Sequence, residues 1–292
     1  MPGLVSVAGA TGYAGRHLVA ELAAQGHPVR ALVRSQERAE QPGAYDAPSL
    51  RGLVAEWRIV DYAKPDTLTS ACDGADHIVS ALGVTRQKAD PWEIDFLGNL
   101  RLLEDAERHR VQSFVYVNVI NADSGTSTLM RSKRAFTEAL ERSAVSHKTI
   151  NPSGYFSDAS EFLSMARKGI GFTLGRGEAR INPIHGEDLA AFAVEHLTGP
   201  PGTWDIGGRD VFTYAELEQL CFEIVGRNPH VLRVGTRTAK LMEWTADRAS
   251  PQAGNLVRFF LESLAVDGIG EQIGVHRLRP YFEAIQAREE KR

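Results

Sequence analysis

Short apolar runs alternate with longer amphipathic ones through the first half of the chain. Leu4–Ala8, Val29–Val33, Trp57–Val60, His77–Ala81, Ser113–Asn118 and Lys148–Asn151 each predict a strand. Between them apolar positions recur at helical spacing. Leu18, Val19 and Leu22 share a face within Arg16–Gln25, and Phe96, Leu97, Leu100 and Leu103 do so within Trp92–His109. Gly26 ends the first of these helices, and Leu129–Ser143 reads as another. Strands separated by helices predict right-handed crossovers and a doubly wound parallel α/β sheet.

The second half is less regular. Asn151-Pro152-Ser153-Gly154 breaks the alternation, and Gly169–Gly177 is rich in glycine. Helices are predicted at Glu187–Leu197, Tyr214–Val225, Thr238–Asp247 and Asn255–Leu264, and from Leu278 to the polar end at Arg292. Trp204–Ile206, after the turn Gly199-Pro200-Pro201-Gly202, reads as one more strand. The expected organisation is a sheet domain over 1–152 and a small, mostly helical lobe over 153–292. The two are interwoven, with 203–207 returning to the sheet.

Composition narrows the function. The 292 residues carry 33 Lys+Arg against 37 Asp+Glu, a formal charge of −4 with both signs mixed. That gives no electrostatic footprint for nucleic acid or an anionic membrane. No run approaches the ~18 apolar residues of a membrane span, and no secretory leader is visible. A cytoplasmic protein acting on a small molecule is expected. Cys72 and Cys221 stand far apart without partner spacing, which excludes a disulfide framework or a zinc cluster. No metal site is expected.

Gly9-Ala10-Thr11-Gly12-Tyr13-Ala14-Gly15 lies between a predicted strand and a predicted helix. In that setting one glycine permits the tight turn, one lets backbone approach a pyrophosphate, and one lets the helix pack close to the sheet. The helix starting near Tyr13 turns unpaired N–H groups toward the anion. A carboxylate usually follows the second strand to bind the ribose hydroxyls of NAD. Here Arg34 stands there with Arg38 beyond it, and a cation suits a 2′-phosphate. NADP(H) is therefore expected ahead of NAD(H), although Glu37 could reach a ribose.

These motifs resemble the atypical short-chain dehydrogenases/reductases, in particular their NAD(P)H-binding, NmrA-like branch. Arg30-Ala31-Leu32-Val33-Arg34, Val60-Asp61, Ser80-Ala81-Leu82-Gly83, Asp95-x-x-Gly98-Asn99 and Phe114-Val115-Tyr116-Val117 extend the likeness. So do Thr149-Ile150-Asn151-Pro152, Ile184-His185-Gly186-Glu187-Asp188-Leu189-Ala190, Asp205-Ile206-Gly207-Gly208 and Leu278-x-x-Tyr281-Phe282. The resemblance implies a Rossmann-type fold. It also implies that Gly9, Thr11, Gly12, Tyr13, Ala14 and Gly15 cradle the cofactor. By the same likeness Asp61 bonds the adenine with Tyr62 beside it, and the backbone of Ala81, Leu82 and Gly83 lines the cofactor midway. Asp188 is left a structural role.

The catalytic set departs from the pattern. Relatives that reduce carbonyls use Tyr-x-x-x-Lys with a nearby Ser, the tyrosine donating the proton. Lys133 fits the lysine, but Leu129 stands four residues earlier, and Asn118-Val119 occupies the place of the serine. Lys133 is expected to hold the ribose and, with a pKa lowered by burial, to relay a proton. Tyr155, at the carboxyl edge of the sheet, is the best substitute acid, with His185 a second candidate. Asn118 is expected to hydrogen-bond a substrate carbonyl.

Three functions stay open. The first is an NADPH-dependent reductase transferring hydride to an enone, quinone or carbonyl. The second is an NADP(H) sensor that signals to a protein partner without turnover. The third is a nucleotide-sugar epimerase or dehydratase, which suffers most from losing the tyrosine. Phe156, Phe162, Met165, Phe172, Trp244, Phe259 and Phe260 are candidates for an apolar substrate pocket.

Overall fold

A strand covered by helices on both faces is buried along its whole length, and the central strands here are. Val5–Ala8 (β1), Val29–Val33 (β2), His77–Ser80 (β4) and Ser113–Val117 (β5) are buried at every position. The computed structural model describes residues 2–84 and 89–290. The last two residues of the expected C-terminal helix thus lie outside the described residues.

The first half follows strand–helix alternation: β1, Tyr13–Ala24 (α1), β2, Gln36–Ala39 (α2), Glu56–Ile59 (β3), Pro65–Leu68 (α3) and β4. After β4, Trp92–Gly98 is π-helical and runs into Asn99–Arg108 (α4); β5, Thr128–Glu141 (α5) and Ser146–Pro152 (β6) follow. The single long helix expected over 92–109 is therefore wound more loosely in its first two turns. In the second half come Phe156–Arg167 (α6), Gly171–Leu174 (β7), Arg180–Ile181 (β8), Gly186–Glu195 (α7), Gly202–Gly207 (β9) and Phe212–Thr213 (β10). Then follow Tyr214–Ile224 (α8), Val231–Val234 (β11), Thr236–Ala249 (α9), Pro251–Ala265 (α10), Glu271–Gln272 (β12) and Leu278–Glu289 (α11).

Eight strands form one parallel sheet in the order β12-β9-β6-β5-β4-β1-β2-β3. The chain starts in the middle, winds outward through β2 and β3, then returns to β4 on the other side of β1. The crevice between β1 and β4 is where such sheets bind ligands. One face is covered by α1 and α7, through Leu18, Leu22, Leu189 and Ala193. The other is covered by α4 and α5, through Leu102, Ala106, Phe136 and Leu140. A third core joins α6, α8 and α11, through Phe162, Leu217, Phe222 and Phe282.

Sequence reading misses α6 and the short strands β7, β8 and β10–β12. Helix α6 begins directly after the Asn151–Gly154 break, and its N-cap residue Tyr155 offers no side-chain cap. The strands of two to four residues are too short for an alternation to register. Side chains of α10 hold the start of α5: Glu262 accepts from the Thr126 and Ser127 N–H groups, and Asn255 accepts from Thr128 N–H at 2.6 Å. The lobe is thereby tied to the helix that carries Lys133.

Candidate active site

Gly9, with φ at +71°, turns the chain out of β1. A Cβ on Gly15 would lie 2.1 Å from the Gly9 carbonyl oxygen, so only glycine lets α1 begin so close to the turn. Gly12 is different. Among the described residues the one neighbour within 4 Å of a Cβ there is the Gly9 oxygen, at 3.4 Å, so they leave the space in front of this residue open. No side chain caps α1 and no acidic residue stands in its first turn. A bare helix start facing an open glycine fits a diphosphate.

The end of β2 and the turn after β3 brace this loop. Tyr62 is buried; its hydroxyl accepts from Gly9 N–H and donates to the Leu32 carbonyl, both at 3.0 Å. It holds the loop from beneath. Asp61 accepts from Ala63 N–H at 3.2 Å and pairs with Lys64 at 3.5 Å. Arg34 is exposed just beyond β2 and near enough to lower the Tyr62 hydroxyl, against the larger upward effect of burial. Buried Arg16 donates to the carbonyls of Thr11, Arg38, Ala39, Gln41 and Pro48, fixing the segment that borders the loop.

Across the crevice the π-helical turn places Asp95, fully buried, beside Lys133 with Oδ1 and Nζ 3.2 Å apart. Its other oxygen accepts from Val84 N–H at 2.9 Å, and Lys133 also donates to the Tyr116 hydroxyl at 3.5 Å. Gly83 lets the pair approach the backbone: a Cβ there would lie 3.1 Å from Asp95 and 3.3 Å from Lys133. Burial works against both charges. It prevails at Asp95, whose carboxyl is raised despite Lys133. At Lys133 burial alone would lower the ammonium, but Tyr116 and Asp95 outweigh it and hold it above the ordinary lysine value. The lowered lysine pKa expected from burial is thus corrected: Tyr116 and Asp95 hold the Lys133 ammonium up, which favours a hydrogen-bond donor over a base. Sequence reading quotes Asp95 without giving it this task. Its signal is a carboxylate set between Ile94 and Phe96, where an unpartnered charge would be costly.

A chain of amides fixes Asn118. The Asp205 carboxylate can only accept, so Asn151 turns its Nδ2 toward it, at 2.8 Å. The Asn151 oxygen then faces Asn118 Nδ2 at 2.9 Å, and the buried Asn118 Oδ1 has no hydrogen-bond partner among the described residues. Asn118 therefore presents an acceptor. It suits a ligand N–H or O–H, not the substrate carbonyl expected for it. Tyr155 has no hydrogen bond from its hydroxyl among the described residues. Burial raises that hydroxyl's pKa and Lys133 opposes the rise.

Thr11, Gly12, Tyr13, Ala14, Ala81, Leu82, Gly83, Asn118, Leu129, Lys133 and Tyr155 line one cavity of about 920 Å³. Its far end is apolar, with Phe162, Met165, Phe172, Phe259 and Phe260 in the wall. Gly9, Gly15, Arg34, Asp61 and Tyr62 stand outside the lining. Phe156 belongs to the lobe's core and Trp244 faces solvent, so neither serves as the pocket residue expected. His185 caps α7, accepting from Glu187 N–H, and stacks on His276 at 4.2 Å outside this cavity. His17 packs between Tyr13 and His185, and burial lowers its pKa to about 4. Asp188 ties α7 to the chain at Val275 and His276.

A family profile described as NAD(P)H-binding matches residues 9–200. The chain belongs to that NAD(P)H-binding family. This family member is 26% identical to the chloroplastic divinyl chlorophyllide a 8-vinyl-reductase of Zea mays over 258 residues, 83% of this chain and 64% of the reductase. The chain thus spans just under two thirds of that relative's length. Photosystem II assembly factor Ycf39 of Cyanophora paradoxa is 25% identical over 314 residues, 97% of this chain and 94% of the factor. An NADPH-dependent quinone oxidoreductase of Escherichia coli, solved with NADPH, superposes with a TM-score of 0.72 at 16% identity, covering 96% and 99% of the two chains. Triphenylmethane reductase of Citrobacter sp., solved with NADP(H), gives 0.68 at 18%, covering 96% and 95%. These likenesses establish the Rossmann-type α/β fold of this NAD(P)H-binding protein.

Proposed function

We propose that this chain is an NADPH-dependent reductase of a conjugated, largely apolar small molecule. The observation that carries the reading is the continuity of the cavity: phosphate-binding backbone, a fixed cation and an aromatic chamber share one space. The relatives' names point the same way, since a vinyl group of divinyl chlorophyllide, a quinone and a triphenylmethane dye all belong to conjugated molecules.

When bound, NADPH supplies the reducing equivalents. The glycine loop and the start of α1 bind its diphosphate, and Arg34 meets the 2′-phosphate. Lys133, held by Asp95, donates to ribose hydroxyls, and the Asn118 oxygen accepts from an N–H or O–H of the cofactor. The apolar walls exclude water and orient a planar acceptor. Tyr155 keeps its proton at neutral pH and donates it only when charge develops on the acceptor. A conjugated acceptor asks less of that acid than an isolated carbonyl does, so Leu129 in place of a tyrosine is tolerated.

Rapid mixing of NADPH-loaded protein with quinones and enones tests the reading, and decay of nicotinamide absorbance is the expected result. A flat trace with every acceptor overturns it. Tight binding of NADP⁺ and weak binding of NADPH with that flat trace establishes a sensor instead.

A further inference from the structure

The aromatic chamber opens onto an unusual rim. Ile170, Leu232, Met242, Leu256 and Phe260 each line the cavity and each are also exposed, Leu232 to 63%. Apolar side chains thus continue from the cavity wall onto the outer surface at this part of the mouth. Helix α9 extends this surface. It buries Ala239 alone, while Arg237, Leu241, Trp244 and Arg248 fall at i, i+4, i+7 and i+11 on one outward stripe. Trp244 is 53% exposed, with the Arg248 guanidinium 4.2 Å from its ring centre.

The same stretch of chain is also basic. Residues 226–242 hold Arg227, Arg233, Arg237 and Lys240 and no carboxylate, in a chain whose net charge is −4. The two acids that follow on α9, Glu243 and Asp247, share the one Arg258 guanidinium of α10 at 4.0 and 3.0 Å. The whole-chain balance conceals this local excess.

We propose that this face docks on an anionic lipid bilayer, with the cavity mouth against the membrane. Basic side chains beside exposed Leu and Trp are what an interfacial helix presents to charged headgroups. A protein seated on the rim would close the mouth, whereas a bilayer extends the apolar path and delivers a lipid-soluble molecule without a passage through water. Docking is interfacial, since no helix among the described residues is long and apolar enough to cross a membrane. The inference uses the proposed reductase reading only in naming what enters the mouth; the docking itself is measured without turnover.

Co-sedimentation of the full chain with phosphatidylcholine vesicles, with and without phosphatidylglycerol, tests it. Binding is expected only to the vesicles containing phosphatidylglycerol, weakened by salt, with a blue shift of tryptophan emission that Trp244→Phe abolishes. At about fivefold per basic residue near the surface, losing three weakens partitioning by about a hundredfold, and the three added carboxylates of R233E/R237E/K240E are expected to weaken it further. NAD(P)H affinity and melting temperature should be unchanged, because these side chains are exposed. Three outcomes overturn the proposal: no binding to phosphatidylglycerol vesicles, binding that ignores the charge reversals, or a self-associated dimer in ultracentrifugation that the same reversals dissociate. Vesicle binding together with inert acceptors leaves docking standing and removes only the reductase reading.

Discussion

The two ends of the cavity are built on opposite principles. At the phosphate end nearly every contact is specified. Gly15 has no room for a methyl group, Asp95 and Lys133 are matched charges, and the Asp205–Asn151–Asn118 relay fixes which atom Asn118 presents. At the apolar end, Phe172, Phe259 and Phe260 contribute area and shape, and any of several side chains would fill the same volume. The first end meets charges and hydrogen bonds, whose errors are costly when buried. The second meets a surface that only excludes water. A scaffold divided in this way keeps its cofactor while the occupant of the apolar chamber is free to vary.

The sharpest way to break the comparison is to remove one charge at the rigid end. Lys133→Met leaves Asp95 buried without its cation, and a loss of about 3–5 kcal/mol in denaturant unfolding is expected. Adding Asp95→Asn should restore most of that stability but not cofactor affinity, separating the fold's need for the pair from the ligand's. Next comes Gly15→Val, which sets side-chain atoms against the backbone of the turn. It should cost about 3 kcal/mol and abolish NAD(P)H binding in calorimetry.

The phosphate end should also yield first to acid. His17 in the folded protein has a pKa lowered to about 4 from 6.5, so as pH falls the unfolded chain takes up this proton first. Its contribution is complete above pH 6.5 and lost as pH drops toward about 4, amounting to ~3 kcal/mol. His17→Phe should flatten that part of the stability profile. Arg34→Ala is expected to weaken NADPH binding by about 1.5–3 kcal/mol and leave NADH unchanged. At the tolerant end, Phe172→Leu should cost under ~1.5 kcal/mol and alter which acceptors are reduced more than how fast the best one is. If Phe172→Leu proves as damaging as Lys133→Met, the contrast between the ends is wrong.

What could be read in advance follows the same division. The strands of the first half, the glycine loop and the return of 203–207 toward the sheet carry local signals, because parallel central strands are mostly apolar and a phosphate turn demands glycine at fixed spacing. Lys133, Asn118 and Tyr155 were legible as cavity residues. Asp95 was not legible as the lysine's partner, since the pairing spans 38 positions and depends on a π-helical turn. Nor was the orientation of Asn118, which depends on Asn151 and Asp205 arriving from two other strands. Trp244 looked like a wall residue because aromatic residues at helical spacing look alike whether they face a cavity or water.

The order of the sheet has a consequence for synthesis. Strand β6 is complete at Pro152, yet its outer neighbour β9 spans Gly202–Gly207, and β12, which covers β9, spans Glu271–Gln272. While the ribosome makes the intervening residues, the first six strands can assemble with one flank bare, its backbone N–H and C=O groups open to any other strand. Nascent chains stalled in that interval should seek one another, and a chaperone that binds extended backbone would find this protein during a single, predictable window of its translation.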